Sequence, residues 1–478
     1  MPWIVFTLVM GHLLINHVRR SLRSTPVTAI EISTSQMVLA IKLTTFAWNV
    51  HDGRRKSEDL DASQLATRLQ HLPSPLAFLG YCLFFPCVLV GPSFDYATYD
   101  SLVLHTIFDI PPPGSAPAQA TVTRRRVPHG RKRVAYLHLI LGLAFLGIFA
   151  TYGERAAYER MLTPAWYTWS LSTRFGFIQI AGIIARTKYY AVWSLAEGAC
   201  ILTGVGFNGY DQKTGRTLWN RVRNINILSI EMAESFKVLF DSWNCRTNIW
   251  LRDCVYKRLV TKGKKPGTLQ SMATFLTSAI WHGIDSGYYL AFIMAGLLTS
   301  LGRQFRHFVR PHFLPPSTAH REAPNSLPKW PYPNLPKRVY DLSGWIMVQV
   351  NLNYIASAFV LLSFRDCIKA WHRMGWYTHI FVAIAMVFFQ SGGRRMLRPK
   401  VEGKRKVSAP AAVPSLKISP PSPHDEKDPT DLKWITHALA NPTYHNGGGG
   451  VDPDGGLVDG LMKGAETPRD ESPRLKEL

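Results

Sequence analysis

WNCRTNIWLRDCVYKRL at residues 243–259 and SMATFLTSAIWHGIDSG at residues 271–287 decide the fold, because they place polar side chains within long apolar runs. Asn248 and His282 are the polar residues that stand out there. A side chain that cannot reach water inside a membrane needs a partner or a task, so such residues are candidates for a functional site. The surrounding sequence indicates whether these runs belong to a membrane protein.

Apolar stretches recur along most of the chain. A membrane-spanning helix needs about 20 mainly apolar residues, and runs that approach or reach this length lie at 2–18, 30–50, 75–90, 134–152, 189–207, 288–301, 344–364 and 376–389. Within a membrane, helices satisfy all their backbone hydrogen bonds internally. The sequence therefore predicts an all-α, polytopic membrane bundle with about 8–11 spans or re-entrant helices.

The positive charge belongs to the predicted bundle. The chain carries a net charge of +23, but residues from Glu402 onward hold ten basic and twelve acidic side chains, so residues 1–401 carry +25. Basic loops that flank apolar spans contact lipid headgroups and help to set orientation. Because the Lys and Arg residues lie between spans and not on one soluble domain, no nucleic-acid partner is expected.

The chain divides into two regions of different composition. Residues 1–392 form the predicted bundle, and residues 393–478 are first basic and then rich in Pro and Gly, with four glycines at 447–450. Such a composition buries too little apolar surface to fold, which predicts a disordered cytosolic tail. The apolar N-terminus lacks a basic leader, so it is interpreted as a first span and not as a cleaved signal.

The pattern of potential ligand residues does not favour a metal. The six cysteines show no CxxC spacing, and none of the sixteen histidines belongs to an HExxH motif. These spacings are the ones that bring zinc ligands together. The sequence predicts no metal site.

The central segments favour proton-transfer chemistry. If residues 243–259 are helical, Asn244, Asn248 and Arg252 share one face. A neutral imidazole is a suitable base at membrane depth, because its ordinary pKa is near neutrality and its burial is cheaper than that of a carboxylate. Asn248 could donate hydrogen bonds to an oxyanion or orient a hydroxyl without adding charge.

The residues alone leave other interpretations open. A histidine near the end of a span is often structural, and an asparagine in a membrane helix often joins two helices. A polytopic transporter is the alternative from another functional class, with Arg174, Glu197 and His282 along its pathway.

Two further expectations concern charged side chains near these segments. Glu197 lies in an apolar run and is expected to pair with Arg174 or Arg186. Residues 217–243 combine charges with apolar residues at helical spacing, which predicts one amphipathic helix.

Several motifs resemble those of the membrane-bound O-acyltransferases, and within that family the chain is similar to fungal and animal lysophospholipid acyltransferases. The resemblance covers roughly residues 1–392, and it is carried by WNCRTNIWLRDCVYKRL at 243–259, AIWHGIDSGYYLAF at 279–292, KLTTFAWNVHDGRR at 42–55, LGYCLFFPCVLVGPSFDY at 79–96 and GVGFNGYD at 204–211.

The resemblance implies a catalytic tunnel through a multi-pass bundle of the endoplasmic reticulum membrane. It implies acyl-CoA as a co-substrate, no cofactor and a lysophospholipid as the acceptor. His282 matches the family's catalytic histidine and Asn248 its asparagine. Candidate substrate-binding residues are their neighbours in the same segments: Trp243, Asn244, Arg246, Arg252, Trp281 and Tyr288. A sterol, diacylglycerol or protein hydroxyl is the alternative acceptor.

Two departures from the family pattern are visible. The family usually has a proline where this chain has Ser286, four residues after His282. The sequence also begins within a segment that resembles an early span, so one or two N-terminal helices of the family are expected to be missing.

Overall fold

The computed structural model describes residues 1–23, 32–113, 127–260, 268–314 and 335–397. Helical structure continues through Leu397, and the predicted tail lies outside the described residues from position 398 onward.

The described chain is built from helices, as the sequence predicts. The first nine α-helices are α1 (Pro2–Leu22), α2 (Ile32–Gly53), α3 (Ala62–Thr67), α4 (Pro75–Cys82), α5 (Tyr96–Val103), α6 (Arg131–Tyr152), α7 (Leu171–Thr203), α8 (Ile227–Glu231) and α9 (Phe236–Ser242). The next seven are α10 (Cys245–Trp250), α11 (Lys257–Leu259), α12 (Thr268–His282), α13 (Ser286–Gln304), α14 (Leu335–Leu361), α15 (Phe364–Arg373) and α16 (Tyr377–Phe388).

Shorter helical turns complete the described chain. Turns of π-helix cover Leu251–Tyr256, Phe305–Val309 and Phe389–Gly393, and short 3-10 turns cover Ser57–Asp59, Thr106–Phe108, Tyr158–Leu162, Pro164–Thr168 and Arg310–His312. Among the described residues, Tyr210 and Thr217 form an isolated antiparallel β-bridge. The predicted all-α class is therefore confirmed.

Three helical segments of the described residues are long and apolar enough to cross a membrane: Arg131–Tyr152, Leu335–Leu361 and Tyr377–Leu397. Other long helices carry charged side chains that lower their hydropathy, such as Lys42 in α2 and Glu197 in α7. The structure supports a membrane bundle, and the total of 8–11 spans stays a prediction.

Helix packing brings the two central segments into the interior. Helix α13 packs against α12 and α14, and α7 packs against α6 and α14. A Cβ added to Gly287 at the start of α13 would lie 2.2 Å from the carbonyl oxygen of Ala358 in α14. Small residues allow such close helix contacts, so Gly287 lets α13 begin against α14, directly after the turn that follows His282.

The predicted amphipathic helix at 217–243 is wrong. Residues 217–226 form a loop, and the rest is divided between α8 and α9. Asn226 accepts a hydrogen bond from the Ser229 amide and starts α8, while Ser235 accepts one from the Val238 amide and starts α9. Two side-chain caps therefore begin two short helices where apolar spacing alone suggested one.

The expected partners of Glu197 are also wrong. Arg186 donates from Nε to the Glu231 carboxylate over 2.9 Å. Arg174 donates to backbone carbonyls of Trp169 and Tyr167. Both guanidinium groups are engaged elsewhere, because Glu231 in α8 and the carbonyls just before α7 are acceptors that helical spacing does not reveal.

Candidate active site

Asn248 lies one turn into α10 and is held by a carboxylate. Its amide Nδ2 donates to Oδ1 of Asp241 over 3.2 Å, and Asp241 also pairs with Lys237 at 2.5 Å. Asp241 belongs to α9, and the helix is broken between α9 and α10 by Trp243 and Asn244. Because a carboxamide nitrogen carries two N–H groups, the bond to Asp241 leaves a second donor for another partner.

This break depends on Asn244. Its backbone has φ 44° and ψ 54°, in the left-handed region, and its side-chain oxygen accepts a hydrogen bond from Thr247 Oγ1 over 2.9 Å. Asparagine is among the few residues other than glycine that enter this region readily. The side chain predicted to bind substrate therefore also forms the turn that places Asn248.

The two predicted arginines of this segment already have protein partners. Arg246 donates from Nε to the carbonyl of Ser93 over 2.5 Å and from Nη1 to that of Arg221 over 3.4 Å. Arg252 makes two hydrogen bonds to the carboxylate of Asp253 over 2.8 and 2.9 Å. These contacts give both guanidinium groups a structural role.

Aromatic rings surround His282 at the end of α12. The imidazole stacks on Tyr288 and Phe292, with ring centroids 5.6 and 5.2 Å away, and meets Phe359 edge-on at 5.0 Å. The side chain is half-buried, and its ring nitrogens make no hydrogen bond within the described part of the chain. Packing fixes the ring, while its nitrogens remain available to a substrate.

The rings of Trp281 and Tyr288 pack against that of His282 and help to hold it. The Trp281 indole donates to the carbonyl of Met37 over 3.0 Å, and the Trp281 carbonyl contacts Nε2 of His17 at 3.2 Å. The Trp281 ring also lies 4.7 Å from that of His282. Neither Trp281 nor Tyr288 lines the cavity described next.

One cavity joins Asn248 and His282. It has a volume of about 1490 Å³, and four of the predicted binding residues also line it: Trp243, Asn244, Arg246 and Arg252. Typical small-molecule pockets occupy roughly 300–1,000 Å³, so this one has room for larger ligands. Its walls combine charged groups with apolar ones, among them Asp52, Arg258, Arg303, Phe292, Ile355 and Phe359.

Sequence reasoning missed several residues of this site. Asp241 lies seven positions before Asn248, which in one continuous helix would be two turns away, and nothing in the spacing shows that the helix is broken between them. Phe292 and Phe359 come from α13 and α14, and their positions against His282 depend on helix packing. The AIWHGIDSGYYLAF motif does include Phe292, so its proximity to His282 in sequence was a usable signal.

Comparison with known proteins agrees with the motif resemblance. The sequence profile described as "MBOAT, membrane-bound O-acyltransferase family" matches residues 1–357. A protein named "Lysophospholipid acyltransferase" from Schizosaccharomyces pombe is 37% identical over 404 residues, which is 84% of this chain and 75% of that protein. One of the same name from Saccharomyces cerevisiae is 37% identical over 399 residues, which is 82% of this chain and 62% of that protein.

A human relative is more distant. "Membrane-bound glycerophospholipid O-acyltransferase 2" is 30% identical over 359 residues, which is 75% of this chain and 64% of that protein. The chain thus spans three quarters of the fission yeast protein and somewhat less than two thirds of the other two. The extent of the profile match and the identity over most of the chain show that it belongs to the membrane-bound O-acyltransferase family.

Proposed function

We propose that the chain is a lysophospholipid acyltransferase of the endoplasmic reticulum membrane that uses acyl-CoA as the donor. The two yeast relatives that are named lysophospholipid acyltransferase match most of this sequence. The structural observation that carries the proposal is that His282 and Asn248 line the same cavity, in which the imidazole nitrogens have no hydrogen-bond partner from the described chain.

In the proposed reaction, His282 removes the proton from the free glycerol hydroxyl of the lysophospholipid. The hydroxyl oxygen attacks the thioester carbonyl carbon, and the carbonyl oxygen becomes an oxyanion. Collapse of this intermediate breaks the carbon–sulfur bond, and the CoA thiolate leaves and takes the proton back from His282. The products are a diacyl phospholipid and CoA.

Asn248 is proposed to donate a hydrogen bond to the oxyanion or to the acceptor hydroxyl. An oxyanion donor must be positioned before charge develops, and the bond from Asn248 to Asp241 restricts its amide group. In a site that excludes water, a donor fixed in this way is more effective than one that must reorient.

The cavity walls suit two amphipathic substrates. Both acyl-CoA and a lysophospholipid combine a charged head with a long apolar chain, and the lining combines charged and apolar residues. Holding both reactants in one cavity turns a bimolecular encounter into a reaction between neighbours, which supplies a large part of the rate.

The test is to express the chain in membranes that lack endogenous acyltransferase activity. Labelled oleoyl-CoA is supplied with a panel of lysophospholipids, a sterol and diacylglycerol, and labelled products are separated by chromatography. We expect acylation of at least one lysophospholipid, and a loss of about 10²- to 10⁴-fold in rate for His282→Ala, the usual contribution of a general base.

His379→Ala is a matched control. His379 is also half-buried, but its Nδ1 bonds to Tyr354 at 2.8 Å and it does not line the cavity. Its loss should leave the rate within about twofold, since it touches neither reactant. Acylation of the sterol or of diacylglycerol alone would replace the proposed acceptor, and unchanged activity of His282→Ala would remove His282 from the mechanism.

A further inference from the structure

We propose that Glu197 and Asn224 form a tether that positions the catalytic asparagine. Neither residue lines the cavity, and both are about 1% exposed. Glu197 lies in α7, and Asn224 lies in the loop before α8. Together they connect the bundle to the first turn of the helix that carries Asn248, so they act through that helix and not on the substrate.

The first contact fixes the loop to the bundle. The backbone N–H of Asn224 donates to Oε2 of Glu197 over 3.0 Å, and Oε1 of Glu197 lies 3.8 Å from Nε2 of His138 in α6. A carboxylate is costly to bury unless hydrogen bonds or charges compensate it. A buried glutamate that accepts a bond from a loop amide therefore holds that loop in one place.

The second pair of contacts joins the loop to α10. The Asn224 carbonyl accepts the amide N–H of Cys245 over 2.7 Å, and its side-chain Oδ1 accepts that of Arg246 over 3.3 Å. Cys245 and Arg246 are the first two residues of α10. Asn224 therefore satisfies two N–H groups at the helix start, where the helix itself offers no acceptor.

Asn224 caps α10 because the residue at the N-cap position, Asn244, cannot. Asn244 occupies the N-cap position, but its backbone is left-handed and its side chain makes no capping bond to the helix. An N-cap side chain normally works from the extended region. Asn224 supplies the missing cap from twenty positions earlier, and Asn248 follows within the same turn, its amide donating to the Asn244 carbonyl over 3.1 Å.

The tether gives a reason for burying the polar side chains of Glu197 and Asn224 close to the start of α10. Without Glu197 the loop would lose one of its fixed contacts, Asn224 would cap α10 from a less defined position, and the direction of the Asn248 amide would be less restricted. A displacement near 1 Å in a catalytic group costs roughly 10²-fold in rate, so we expect Glu197→Ala and Asn224→Ala to lower kcat by about 10- to 100-fold while KM for either substrate changes less than twofold.

The experiment combines two readouts on full-length protein in nanodiscs. Hydrogen–deuterium exchange is followed in peptides that cover Trp243–Trp250, and kcat and KM are measured with oleoyl-CoA and lysophospholipid. We expect Glu197→Ala and Asn224→Ala to exchange these amides about tenfold faster, because capping restrains a helix terminus. Glu197→Gln keeps an acceptor oxygen of the same shape and should restore both the protection and kcat to within about threefold.

Asp341→Ala is the matched control. Asp341 is another buried carboxylate, 4% exposed, and it pairs with Lys337 within α14, away from α10. Its loss should lower thermal stability without selectively changing exchange in Trp243–Trp250. If Glu197→Ala exchanges no faster there than wild type, or loosens all peptides as Asp341→Ala does, the tether is wrong.

The kinetic readout rests on the proposed function, whereas the exchange readout does not. If the wild-type chain acylates no lysophospholipid, the proposed function fails, and the exchange data still decide on the tether. If the wild-type chain is active and Glu197→Ala retains both kcat and amide protection, the tether fails alone.

Discussion

The two segments that supply the candidate catalytic residues are built in different ways. Residues 243–259 form a segment of short helical pieces held by hydrogen bonds, in which Asn248 bonds to Asp241. Residues 268–287 begin with a continuous helix, which ends at His282, and the ring of His282 is enclosed by aromatic side chains. We call them the asparagine segment and the histidine segment.

The difference follows from the tasks proposed for the two residues. A donor to a developing oxyanion must keep one direction, which hydrogen bonds provide. A base must keep a nitrogen free for the substrate proton, so its ring is better held by apolar contacts, which do not compete for that nitrogen. The asparagine segment thus depends on polar groups and the histidine segment on packing.

Within the asparagine segment, the largest expected effect comes from removing the Asn248 side-chain amide. We predict that Asn248→Ala lowers kcat by about 10²- to 10³-fold, the usual loss for one oxyanion donor, with little change in thermal stability. Steady-state acylation kinetics check this. Asp241→Asn is the companion variant, and because its side-chain oxygen can still accept from Asn248, kcat should fall less than about tenfold. Near-normal turnover by Asn248→Ala would place Asn248 outside the reaction.

The turn at Asn244 provides a second test of the asparagine segment. A β-branched residue is strongly disfavoured at φ 44°, so Asn244→Val should lower kcat by about tenfold and reduce the melting temperature. Asn244→Gly fits the same backbone without strain and should retain activity within about threefold. Equal kinetics for the two variants would show that the left-handed turn does not position Asn248.

The histidine segment should tolerate proline at position 286, where the family usually has that residue. Ser286 is the first residue of α13, where proline is well accepted, and Asp285 has φ −64° and ψ 134°, which suits a residue before proline. Ser286→Pro loses the hydrogen bond from Oγ to the Leu362 carbonyl at 3.2 Å, but it also restricts the unfolded chain.

We therefore expect Ser286→Pro to change kcat by less than about twofold and stability by less than about 1 kcal/mol. Acylation kinetics and a thermal melt measure both. Ser286→Ala separates the two contributions, since it removes only the hydroxyl. A large loss of activity in the proline variant alone would mean that the turn after His282 needs backbone freedom.

The sequence predicted the helical class and the family correctly, because apolar periodicity and motif residues are local features, whereas the roles of Asn248 and His282 stay predictions. It also contained the caps that divide 217–243, since Asn226 and Ser235 are preferred residues at helix starts. It could not show the bond from Asn248 to Asp241 or the pairing of Arg186 with Glu231. Those contacts depend on the break between α9 and α10 and on helix packing, which spacing along one helix does not encode.

The smallest expected effect lies at the far end of the asparagine segment. Asp61 caps α3 and pairs with Lys257 at 2.8 Å, and thereby connects α11 to the loop after α2. Burial alone would raise the pKa of Asp61, but hydrogen bonds from Lys257, Ser63 and the Gln64 amide outweigh it and lower this pKa from 3.8 to about 2.

Because the folded pKa is depressed, the contribution of the Asp61 carboxylate to stability is fully present above pH 3.8 and is lost as the pH falls through about 2. The pair is partly exposed, so it contributes less than about 1 kcal/mol. The difference in melting temperature between wild type and Asp61→Asn should be constant from about pH 5 to 8 and shrink as the pH falls from about 4 through about 2, since Asp61 becomes neutral like asparagine only below its folded pKa. A difference that grows in acid would show that Asp61 is not stabilised as a carboxylate, and that its pair with Lys257 does not help to hold the asparagine segment.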